Sequence, residues 1–86
     1  MEIHPRIENA IAQVVQQQID TNDPPQVTAT LVRLVNEGYS DLQARELIGC
    51  VVVAEVFDVL KSGEAFDLER YVAALDRLPE LPESSL

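Results

Sequence analysis

The chain is poor in cysteine, histidine, glycine and basic residues, and it has no tryptophan. Its single cysteine, Cys50, excludes an internal disulfide framework. The single histidine, His4, sits close to a terminus, where chains fray, and no Ser-His-Asp or Cys-His arrangement can be built around it. The three glycines, Gly38, Gly49 and Gly63, fall at helix ends or within a helix, and they form neither G-x-G-x-x-G nor G-x-x-x-x-G-K, the loops that cradle phosphates. Six Lys and Arg face fifteen Asp and Glu, a formal charge of −9. A nucleic-acid binder needs the opposite balance to displace counterions from phosphate, and an anionic membrane surface would also repel this chain. The longest apolar run, Leu47 to Ala54, is far short of the roughly 20 residues that span a bilayer. Met1-Glu2-Ile3-His4-Pro5 shows neither a basic region nor an apolar core of a signal peptide, so the expected compartment is the reducing cytoplasm.

What remains is ordinary globular material. Hydrophobic residues make up 47% and charged residues 24%, too apolar for a disordered acidic tail. The 86 residues suit one domain, over 1–78, with 79–86 as a flexible, acidic, proline-containing tail. Pro79-Glu80-Leu81-Pro82 fits P-x-x-P but lacks the basic residue such ligands usually carry. Excess negative charge keeps a protein soluble and favours a basic partner.

Punctuation divides the domain into four helices. The first, about 5–19, starts with His4 at the cap and Pro5 at the first helical position, where the missing N–H costs nothing. Its stripe is Ile7, Ile11, Val14, Val15 and Ile19. Asp23-Pro24-Pro25 starts the second, about 25–37, with Val27, Leu31, Leu34 and Val35 on one side and Gly38 as its stop. Ser40 and Gln43 form a capping box for the third, about 41–61, which Ser62-Gly63 ends. Asp67 caps the fourth, about 68–78, with Leu68, Tyr71, Val72 and Leu75 on one side and Pro79 as its stop. Val51-Val52-Val53 is β-branched and also fits a buried strand, but the capping on both sides favours helix. The fold class is all-α, a four-helix array with the third helix central. The tight Gly38-Tyr39-Ser40 turn has the shape of a helix-turn-helix, yet the following helix carries Asp41, Glu46, Glu55 and Asp58 against Arg45 and Lys61, and phosphate would be repelled.

The third helix is apolar on two sides. One carries Ala44, Ile48, Val51, Val52 and Val59; the other carries Leu42, Val53, Phe57 and Leu60. Such a helix is surrounded by protein. Either three short helices of the same chain cover it, or the second face meets another molecule, which makes Leu42, Val53, Phe57 and Leu60 the candidate interface. Gly49 costs about 1 kcal/mol in a helix relative to Ala, so it marks a close helix approach. Two polar residues fall among apolar ones. Glu55 lies between Ile48, Val51 and Val59 and calls for a partner such as Arg33, Arg45 or Arg70; Gln18 lies level with Ile7, Ile11, Val14 and Val15.

His4 and Glu8 are one turn apart, as are Glu46 and Cys50, so facing helices would form a mixed N/O/S set able to hold a transition metal such as zinc. The bland alternatives are a favourable helix-start charge for Glu8, a solvated face for Glu46 and a small buried hydrophobe for Cys50.

The series His4-Pro5-x-Ile7, Gln18-Ile19, Asp23-Pro24-Pro25, Leu31-x-x-Leu34-x-x-x-Gly38-Tyr39, Ile48-Gly49, Gly63-x-x-Phe66-Asp67 and Tyr71 resembles a group of small, all-helical bacterial proteins of unknown function. That resemblance implies histidines on the first and third helices, with an H-E-x-x-H-like segment after the Gly-Tyr turn. Here the segment reads Leu42-Gln43-Ala44-Arg45-Glu46, the first helix offers Glu8 and Ala12, and His4 alone matches. The scaffold is kept while most of the implied ligand set is gone. The function these residues point to is a non-catalytic protein-interaction or structural module without a cofactor, its partner another protein or a second copy in a homodimer. The alternative is a metal-binding protein with a site between the first and third helices.

Overall fold

The computed structural model describes residues 5–63 and 65–82. They form four helices: α1 (Pro5–Thr21), α2 (Pro25–Asn36), α3 (Asp41–Ser62) and α4 (Leu68–Arg77). No described residue is in a strand, so the valine triplet is helical. Helix α3 packs against each of the other three. No helix among the described residues is long and apolar enough to cross a membrane.

Local chemistry sets the boundaries. Helix α1 continues past the expected end at Ile19 to Thr21, because the Thr21 hydroxyl donates back to the Gln17 carbonyl (2.8 Å). Asn22 then takes a left-handed turn (φ 51°), a conformation in which asparagine can stand in for glycine. The Ser40–Gln43 capping box is fully formed: the Gln43 N–H donates to Ser40 Oγ (3.0 Å), and the Ser40 N–H donates to Gln43 Oε1 (2.9 Å). Asp67 Oδ1 accepts from the Arg70 N–H (3.2 Å), capping α4. Leu78 lies just past the end of α4 rather than inside it, yet it is part of the core.

The core is Val15, Val27, Leu31, Leu34, Ala44, Ile48, Val51, Val52, Tyr71, Leu75 and Leu78. The stripes read from sequence were wider than the faces they describe: Val14, Val35 and Leu68 are exposed. A helix needs only part of its apolar stripe to bury when its partners are short. Val15 lies in α1, Val27, Leu31 and Leu34 in α2, and Tyr71 and Leu75 in α4. Around α3 these elements cover Ala44, Ile48, Val51 and Val52 and leave the opposite face uncovered.

Candidate functional site

The uncovered face of α3 and the side of α1 form one groove. Gly49 lies where α1 comes closest: a Cβ there would stand 3.1 Å from Ile11 Cγ2, tight enough that one of the two must give by a few tenths of an ångström. Gln16 meets Arg45 one turn further on, accepting from its Nη1 at 2.6 Å, so α1 and α3 run antiparallel at the crossing. Along the crossing the helices leave a depression of about 930 Å³. Leu42, Val53 and Phe57 line it from α3, Ile11 and Ala12 from α1, and Leu81 and Pro82 close it from the segment after α4.

Three of the four residues expected as an interface therefore share one surface. Leu42 is 66% exposed and Phe57 37%. The fourth, Leu60, is exposed but stands apart, in a smaller apolar depression with Val56, Val59 and Phe66. Leu60 lies at the same angle around α3 as Leu42, which is why helical spacing alone groups it with the others, but it stands nearly a turn beyond Phe57 and lines the second depression.

Glu8, Glu46 and Cys50 line the same groove. Among the described residues no group of three His, Cys, Asp or Glu is placed to hold a metal ion. His4 lies outside the described residues. Partial burial pushes the Cys50 thiol up, with the charge of Glu46 adding to the effect. At neutral pH that favours the thiol over the thiolate, the form that binds metals and attacks electrophiles. Arg45 also reaches the groove, but its charge is engaged by Asp41 (2.7 Å). Glu8 and Glu46 have no ion-pair partner among the described residues, so the rim is net acidic.

The two polar residues singled out from the sequence serve the scaffold. Glu55 is buried at 7% exposure and takes both arms of Arg70, from Nη2 at 2.7 Å and Nε at 3.0 Å. The hydrogen bonds it donates to the Glu55 carboxylate hold the Arg70 guanidinium protonated well above its ordinary range. Of the three arginines offered by the sequence, Arg70 is the one that meets it; Arg45 turns to α1 and Arg33 to α4. Gln18 is half-buried and accepts the Tyr71 hydroxyl hydrogen bond at 2.8 Å.

Arg33 has a role that sequence reading missed. Its guanidinium donates to the carbonyls of Leu78 (2.9 Å) and Leu75 (3.1 Å) where α4 ends; the Leu75 carbonyl also accepts from the Leu78 N–H. It fixes the chain as it leaves α4, three residues before Leu81 reaches the groove. No local pattern announces a bond across more than forty positions.

No protein family, curated protein or solved structure matches the chain. The functional reading therefore rests on the groove.

Proposed function

We propose that the chain is a non-catalytic protein-binding module of the cytoplasm and that the α1–α3 groove is its contact surface. The observation that carries this reading is that exposed Leu42 and Phe57 and half-buried Val53 share one side of α3, beside Ile11 and Ala12 of α1. A contiguous exposed apolar patch is uncommon on a protein that works alone, because each Å² left in water forgoes about 25 cal/mol of stabilisation. The metal-binding alternative would need His4, which lies outside the described residues, to complete a set with Glu8, Glu46 and Cys50.

Cys50 provides the test, since it lines the groove. Its alkylation by N-ethylmaleimide is to be followed by mass spectrometry in intact cells and in purified protein. A Gln13→Cys substitution on the exposed side of α1 supplies the internal reference. The expected result is slower labelling of Cys50 relative to Cys at 13 in cells, with the difference lost in Leu42→Glu. Equal relative rates in cells and in pure protein would falsify a covered groove.

A further inference from the structure

We infer that the groove takes a basic amphipathic α-helix from a different protein. This rests on the reading of the groove as a contact surface and adds the chemistry of its occupant.

The occupant's backbone comes first. Both long walls of the groove are α-helices whose main-chain N–H and C=O groups are bonded within their own helices. They offer no sheet edge. An extended peptide laid there would bury its own backbone groups without partners, at a cost of the order of a lost hydrogen bond each. A helix satisfies its backbone internally and presents only side chains. The dimensions agree. Leu42, Glu46, Gly49, Val53 and Phe57 follow one face of α3, and 15 residues of helix rise about 22 Å, or four turns. A partner helix with apolar residues at i, i+4, i+7, i+11 and i+14 would meet that length.

Charge decides between a second copy and another protein. Glu8 from α1 and Glu46 from α3 line the groove among its apolar residues, and the whole chain carries −9. Two copies meeting through this face would bring Glu8 and Glu46 of each against an equally acidic surface. Like charges facing across a forming interface cost affinity and slow encounter. Lysine or arginine beside an apolar stripe would instead pair with Glu8 and Glu46 and be steered in by the field of the whole chain. Arg45 does not offset this, because Asp41 already holds its charge.

The probes are three designed peptides of about four helical turns. The first carries a leucine stripe flanked by lysines, the second has the same stripe flanked by glutamates, and the third is a scramble of the first. Binding to the full chain is read by fluorescence anisotropy at two salt concentrations, and native mass spectrometry reports copy number. The expected result is binding of the lysine-flanked peptide alone, with affinity falling as salt rises. Leu42→Glu should weaken it at least tenfold. Glu8→Gln with Glu46→Gln should weaken it several-fold and flatten its salt dependence. Leu42 is largely exposed and Glu8 and Glu46 lie at the surface, so these variants keep the fold; circular dichroism checks it.

Equal binding of the glutamate-flanked peptide would overturn the basic partner while leaving a helix-binding groove. Equal binding of the scramble would reduce the effect to diffuse charge attraction and overturn the inference. A dimer abolished by Leu42→Glu would also overturn it, by giving the groove to a second copy. No peptide binding with Cys50 still protected in cells would defeat the basic helix alone. No binding together with an unprotected Cys50 would defeat the contact surface as well.

Discussion

Tyr71 joins the end of α1 to α4 through the Gln18 side chain while its ring is buried and meets Phe66 edge-on, with ring centres 5.6 Å apart. Burial pushes its hydroxyl up to about 12; the bond to Gln18 pulls the other way, and the nearby charge of Glu55 adds to the rise. The folded value lies above the ordinary value of 10.0. Below pH 10 the hydroxyl is protonated in both folded and unfolded chains, and its contribution is fully present. Between pH 10 and 12 the unfolded chain ionises first, and stability should fall by about 1.4 kcal/mol per pH unit from this group. Tyr71→Phe should cost about 1 kcal/mol at pH 7, where the bond to Gln18 is lost. Above pH 10 its stability should decline less steeply than that of the parent, so the two curves converge and cross at pH ~11. Urea unfolding from pH 7 to 11.5 measures both, and parallel curves would show that Tyr71 does not titrate across folding. The sequence marked Gln18 and Glu55 as polar residues in apolar company, and each has a partner. It could not identify Tyr71 as the partner of Gln18, because the two are 53 positions apart.

At the scale of elements, the crossing of α1 and α3 depends on one missing methyl group. Gly49→Ala should gain about 1 kcal/mol of helix propensity. It also places a Cβ 3.1 Å from Ile11 Cγ2, and Ile11, branched at Cβ, has a single favoured rotamer in a helix. The methyl cannot swing aside, so α1 must move by a few tenths of an ångström and the propensity gain is largely cancelled. In an Ile11→Ala background the contact is gone, and Gly49→Ala should become stabilising by close to the full amount. Thermal unfolding of the four variants closes the cycle. Additive effects would mean that Gly49 is not what permits the close approach. The elements themselves were legible because their signals are local: the Ser40–Gln43 box, the Asp67 cap, Pro25 and Gly63 all act within a few residues. The two apolar faces of α3 were legible as well, and Gly49 marked the close approach. Which face would be left open was not, because that depends on how short α1, α2 and α4 are relative to the helix they cover. The reach of Leu81 and Pro82 into the groove was hidden for the same reason: it follows from Arg33 fixing the end of α4, a contact between distant segments.

Across the whole molecule, fifteen acids outnumber six bases, so screening should relieve more repulsions than it weakens attractions. The pairs Arg33–Glu37 and Arg45–Asp41 involve exposed or half-exposed side chains and contribute little, while the Glu55 end of its pair with Arg70 is buried and screened less. Raising NaCl from about 0.02 to about 0.5 M should therefore stabilise the fold by about 1 kcal/mol, or roughly 4–8 °C in Tm for a domain of this size. Circular-dichroism melts at the two concentrations measure it. Binding of a lysine-flanked helix should respond with the opposite sign, because the same ions screen Glu8 and Glu46 from their partner. The two responses have a common origin in uncompensated negative charge. A Tm that fell with salt would mean that the ion pairs outweigh the acidic excess, and would remove the electrostatic preference for a basic helix over a second copy. A rising Tm with a falling affinity is the combination that a folded acidic receptor for a basic partner must show.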